Sequence, residues 1–152
     1  MTSSEGRCTF SVQGVLNVRL HADLPGGPAE IALSAFGEDH GHLAGSPLRA
    51  RRSSVLSERF ELEWRGGVWR YVIPALAAPR LTLPDGRVLS MRAKGILKPT
   101  LTAQDGSVEI VRRALSVSGT AAWRGADRLP AMLLILYAYA RIWYAEVPVA
   151  TA

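Results

Sequence analysis

The segment from Leu129 to Tyr144 (LPAMLLILYAYARIWY) constrains this chain more than any other. From Ala131 to Ala140 it is apolar on nearly every side of a helix. A surface helix shows one apolar stripe, whereas a helix apolar all round has to be buried all round, in protein or in lipid. Asp127 stands where a cap belongs, Pro130 is tolerated in a first turn whose N–H groups have no intrahelical partner, and Pro148 stops the helix. The pattern predicts a helix at about 129–145.

A membrane span needs roughly 20 mainly apolar residues. This segment offers fewer, with Arg128 at its start and Arg141 inside it. A short membrane anchor is therefore the minor alternative, and burial by the rest of the chain is the main expectation. Replacing a side chain such as Leu134 by alanine inside a protein core should cost about 2–5 kcal/mol.

The rest of the chain reads as strands able to supply that burial. Phe10, Val12, Gly14, Leu16, Val18 and Leu20 alternate with Ser11, Gln13, Val15, Asn17, Arg19 and His21, a period of two that a helix would scatter. Gly14 marks a bend. Leu24-Pro25-Gly26-Gly27-Pro28 makes a turn, and Ile31, Leu33 and Ala35 resume the alternation. Residues 37–47 (GEDHGHLAGSP) read as a polar loop, with 37–54 as a candidate flexible segment. Phe60, Leu62 and Trp64 pair across Arg65-Gly66-Gly67 with Trp69, Tyr71 and Ile73. Two further hairpins turn at Pro84-Asp85-Gly86 and Gln104-Asp105-Gly106, since glycine accepts positive φ without a Cβ clash. Leu115, Val117, Gly119, Ala121 and Trp123 share a last apolar face. Short strands joined by tight turns predict a mainly β fold: an antiparallel meander closing into a β-barrel around the hydrophobic C-terminal helix. With 152 residues and no linker, 1–152 is one domain.

This order of strands and terminal helix resembles the tubby-like group, which includes the LURP-one-related proteins and the phospholipid scramblases. The resemblance spans most of the chain and rests on architecture, with no diagnostic motif. It implies a closed antiparallel barrel around a central helix, and a lipid-associated or regulatory binding domain. At this length fewer or shorter strands than that group's twelve are expected. The chain has neither an acylated cysteine cluster nor an acidic calcium loop, so no functional residue is carried over.

The net charge of +5 favours anionic partners without choosing among them. Arg49, Arg51 and Arg52 form the sharpest basic run; with Arg112 and Arg113, and with Arg92, Lys94 and Lys98, they are the candidates for phosphate or anionic lipid. The competing reading is outward strand positions charged for solubility. Asp39, His40 and His42 are the densest set of metal-ligand types, weighed against a solvated polar loop. Glu61 and Glu63 share a strand face with Arg59 and Arg65, which predicts a surface ion-pair ladder rather than an acid–base pair. Trp64, Trp69, Trp123 and Trp143, with the tyrosines, are assigned mostly to the interior, and the buried hydroxyls of Tyr137 and Tyr139 to backbone or water near a rim. Cys8, the only cysteine, is read as a free, half-buried thiol.

No nucleotide-loop, hydrolase-elbow or zincin motif occurs, so no cofactor and no enzyme class is implied. Nucleic acid is disfavoured, because aromatic residues are not interleaved with the basic ones. The N-terminal residues lack a signal-peptide core, which points to the cytoplasm, with peripheral membrane attachment in view. Three functions stay open: a non-catalytic module for anionic lipid or a membrane surface; an assembly subunit that docks another protein; and a lipocalin-type barrel for a small molecule, which needs an empty interior. Oligomeric state is not legible.

Overall fold

The computed structural model describes residues 5–14, 18–34, 38–54, 58–95, 98–113 and 116–143. Twelve strands precede one helix. They are β1 (Glu5–Gln13), β2 (Arg19–Asp23), β3 (Ala29–Ala32), β4 (Glu38–Leu43), β5 (Ser46–Ser54) and β6 (Glu58–Trp64). There follow β7 (Gly67–Ile73), β8 (Arg80–Thr82), β9 (Val88–Lys94), β10 (Thr100–Ala103), β11 (Val108–Arg112), β12 (Ser118–Arg124) and α1 (Arg128–Trp143). Each strand pairs antiparallel with its neighbours in sequence, and β1 pairs with both β2 and β12, which closes the ring.

Alternation decides which face is wet. Phe10, Leu20, Ile31, Leu62, Tyr71, Leu81, Met91, Ile110 and Ala121 point inward and are almost completely buried, while intervening positions face solvent. The inward faces need a partner, and α1 is that partner. It contacts β2, β5, β6, β7, β11 and β12, strands from opposite arcs of a closed ring, so it lies inside the barrel. Ala131 to Ala138 are all at 0% exposure, as an element apolar all round requires. A barrel of this strand number encloses more space than its own side chains fill, and the helix takes up the difference. The helix lies in the space that a lipocalin-type ligand would need. Trp69 inserts beside the helix start and donates its indole N–H to the Asp127 carbonyl at 2.8 Å.

Several expectations change. The strand count reaches twelve, through strands as short as the three residues of β8. The run from Phe10 to His21 is two antiparallel strands, not one; Gly14, at φ 96°, ends the first, and residues 15–17 lie outside the description. The expected loop at 37–47 is the β4–β5 hairpin, and 38–54 is sheet. Its turn, Ala44-Gly45, has φ 50° and 76°, and the β6–β7 turn, Arg65-Gly66, has φ 48° and 78°. Positive φ at both central residues gives the twist that a two-residue hairpin loop needs. Gly41 faces the neighbouring strand so closely that a Cβ there would lie 1.9 Å from the Glu30 carbonyl oxygen. The helix starts at Arg128, and the Asp127 carboxylate is engaged by the guanidinium groups of Arg87 and Arg128. Leu115, Ala35 and residues 144–152 fall outside the described residues.

Candidate functional site

The two ends of the barrel differ. At the end where α1 begins, the β8–β9 and β10–β11 turns and the β12–α1 connection meet. Arg128 is 7% exposed there. It reaches Asp105 at 3.0 Å and Asp127 at 2.9 Å and donates from Nε to the Ser107 hydroxyl at 2.8 Å. Burial alone would push the Asp105 carboxyl up; the Ser107 hydroxyl and amide and the Arg128 guanidinium outweigh it and hold the group down at about 2. Arg87 adds bridges to Asp85 at 2.6 Å and Asp127 at 3.2 Å. Around the start of α1 these charges satisfy one another, although Arg7, Arg65 and Arg124 at the same end are exposed and form no ion pair among the described residues.

At the other end the last turns of α1 emerge beside the starts of β4, β6, β8, β10 and β12. Tyr137, at 0% exposure, donates its hydroxyl proton to Asp39 Oδ2 at 2.5 Å. The same carboxylate accepts from the Ser34 amide at 2.7 Å and lies 3.6 Å from Arg141, which donates to the Ser34 carbonyl at 2.8 Å. Burial and the Asp39 carboxylate both drive the Tyr137 hydroxyl well above the ordinary phenol range, so it stays a donor. Tyr137 therefore satisfies a buried acid, not backbone or water. Arg52 points inward and pairs with Glu58. Arg112, also inward, lies with its guanidinium carbon 5.0 Å from the Tyr139 ring centroid.

This end also carries the exposed apolar groups. Among the described residues four large hydrophobic side chains are exposed: Leu76, Val88, Ile142 and Trp143. Leu76, fully exposed, sits on the β7–β8 connection, and Ile142 and Trp143, at 42% and 45%, end the helix. Only Val88 lies toward the end where α1 begins. Trp143 is thus not an interior residue. Around the same rim, Arg80, Arg92, Lys94, Lys98 and Arg113 are exposed on adjacent strands β8 to β11 and their connections. None of the five is in an ion pair among the described residues.

The basic run on β5 behaves otherwise. Arg49 contacts Glu63 at 2.5 Å and Glu38 at 3.3 Å, and Arg51 and Arg70 both reach Glu61, at 2.8 and 3.2 Å. Glu61 and Glu63 are thus paired across strands, while Arg65, one of their expected partners, instead lies 4.4 Å from the Trp64 ring centroid. Arg49, Arg51 and Arg52 are committed to carboxylates. They are also six strands away from Arg112 and Arg113 in either direction around the ring, so the structure does not gather the expected anion set. The metal set is divided as well. On β4, His40 and His42 face outward and Asp39 faces inward, so the three cannot share one ion. Among the described residues no group of three or more His, Cys, Asp or Glu side chains could hold a metal.

Reading the sequence identified Arg92, Lys94, Lys98 and Arg113, but missed Arg80, Leu76 and Ile142 and misplaced Trp143. The available signal was their position: each lies beside a connection at one end of a meander whose odd and even turns fall at opposite ends. Comparison with protein-family models, with curated proteins and with solved structures finds no match to this chain.

Proposed function

We propose that this chain is a non-catalytic module that docks on an anionic membrane surface by the barrel end where α1 terminates. One observation carries the reading. Three of the four exposed large apolar side chains among the described residues share an end with five cations that have no carboxylate in reach. Tryptophan and aliphatic side chains settle at the headgroup boundary, and each basic residue near an anionic surface contributes about 1 kcal/mol.

The barrel wall does not fit as the contact. The outer faces of β5, β6 and β7 carry Arg49, Arg51, Glu61, Glu63 and Arg70 in ion pairs, whereas the outer band of a spanning barrel is apolar. Among the described residues no helix is long and apolar enough to cross a membrane. At 16 residues α1 is about 24 Å long, and it is already enclosed. Cytoplasmic, peripheral placement goes with this proposal, since anionic lipid is concentrated on that leaflet. So does the tubby-like likeness, drawn on architecture.

Vesicle flotation tests the reading. The chain should float with vesicles of phosphatidylcholine plus about one-fifth phosphatidylserine at low salt, and be released as salt narrows the screening length. Trp143→Ala with Leu76→Ala should weaken binding at every salt concentration. Equal partition on neutral and anionic vesicles, or no flotation at low salt, would refute it.

A further inference from the structure

The outer wall of the barrel is not uniform. Across β5, β6 and β7 it is filled by the paired side chains of Arg49, Arg51, Glu61, Glu63 and Arg70. On the opposite side of the ring, β12 turns only Thr120 and Ala122 outward along its middle. The register sets Arg7 of β1 and Glu109 of β11 on either side of Ala122, and Thr9 and Val111 on either side of Thr120. Alternation on all three strands brings these six side chains to one outward face.

Arg7 and Glu109 are exposed, and neither forms an ion pair among the described residues. Neighbouring strands lie about 4.8 Å apart, so their backbones stand about 10 Å apart with the short Ala122 side chain between them. Two hollows of about 370 and 520 Å³ follow β12, and each is lined by Arg7, Ala122 and Glu109.

A barrel wall is convex, so two walls touch first along one strand, and small side chains on that strand let the backbones approach. A two-fold axis lying along β12 between two copies exchanges the β1 side with the β11 side. Arg7 of one copy then faces Glu109 of the other, and the reverse, while Thr120 and Ala122 meet their own counterparts at the axis. A two-fold axis across the strands would instead set Arg7 against Arg7. Arg124, further along β12, is the like-charge approach near the axis, but its Nη2 donates to the Asp105 carbonyl at 3.2 Å, which draws the guanidinium toward the β10–β11 turn.

We propose that the β1–β12–β11 face is a contact between two copies of this chain, held by Arg7 of each copy against Glu109 of the other. The contact lies on the wall and does not depend on membrane docking. Because the axis runs with the strands, both α1 exits point the same way. Two convex walls and exposed ion pairs make a small contact, so a dissociation constant of roughly 10–100 µM is expected.

Sedimentation equilibrium of the full chain without lipid, from about 5 to 500 µM at low salt, tests this. A monomer–dimer equilibrium should appear and weaken as salt is added. Arg7→Glu and Glu109→Arg each place like charges on both flanks and should weaken the dimer at least about tenfold. Both side chains are exposed, so melting temperatures should be unchanged and loss of the dimer is not loss of the fold. Arg7→Glu combined with Glu109→Arg should restore dimerisation. Monomer mass throughout the range overturns the proposal, as does a dimer that both single variants leave intact or that the combined variant fails to restore.

Discussion

Truncating Leu134 to alanine tests whether α1 is the core of the barrel. Leu134 is at 0% exposure midway along the helix. Losing three carbons from a fully buried site removes about 2.4 kcal/mol of transfer free energy, at about 0.8 kcal/mol each. The wall cannot collapse freely, because every strand is held on both sides in a closed ring. A residual cavity of roughly 60 Å³, at about 24 cal/mol per Å³, then adds about 1.5 kcal/mol. The expected loss is about 4 kcal/mol. Urea unfolding followed by tryptophan fluorescence would report it, because Trp69 and Trp123 lie in the same core. Leu76→Ala is the internal control: its side chain is fully exposed, so the change should stay within about 0.5 kcal/mol. If Leu134→Ala cost no more than this control, with an unchanged denaturant slope, the helix would not be inside the sheet in solution and the fold argument would fail.

Three further outcomes are expected. Asp105 is held at about 2, below the ordinary carboxylate value, so the unfolded chain takes up its proton first; the stability it confers is complete above about pH 4 and is lost as pH falls toward 2. Urea midpoints should therefore drop less steeply over that window in Asp105→Asn, and identical slopes would refute the assignment. Burial first and the Asp23 carboxylate second raise the Cys8 thiol to about 11, against a smaller opposing hydrogen bond from the Ala121 backbone. A disulfide reagent at pH 8 should modify the native protein about a hundredfold more slowly than the urea-unfolded chain, and equal rates would contradict the burial. Gly41→Ala should cost at least about 2 kcal/mol because its Cβ would meet backbone at 1.9 Å, while Gly26→Ala, with nothing near it, should be close to neutral in the same melts.

What the sequence showed and what it hid follow from one distinction. Alternation along Phe60–Leu62–Trp64 and Trp69–Tyr71–Ile73, and the Asp-Gly turns, are local signals, and the corresponding hairpins stand where they predict. The β4–β5 hairpin was hidden because its inward positions are Asp39, Gly41 and Leu43, which break an apolar period of two. Asp39 is tolerated inside only because Tyr137 and Arg141 reach it from 98 and 102 residues along the chain, a pairing no local pattern encodes. Gly41 is required by the approach of Glu30 on the neighbouring strand, again a non-local fact. Arginines looked alike in one dimension, and the fold separates them: Arg49 and Arg51 meet glutamates across β5 and β6, whereas Arg113 meets none.

The same separation explains why the candidate site lies where it does. An apolar helix threaded through a barrel has to emerge at both ends, and each exit must reconcile greasy side chains with water. At the entry of α1 the chain resolves this with Arg128, Asp105, Asp127 and Arg87, charges that satisfy one another and cover the core. At its exit the Asp39–Tyr137–Arg141 cluster fixes one side of the helix, but Ile142 and Trp143 continue past it into solvent beside a rim of uncompensated cations. Pure stability would favour sealing both exits alike, since exposed apolar surface and unpaired like charges each oppose the compact state. The two exits differ in their exposed apolar groups: Leu76, Ile142 and Trp143 share one end, and on this difference an anionic membrane surface is the partner proposed for it.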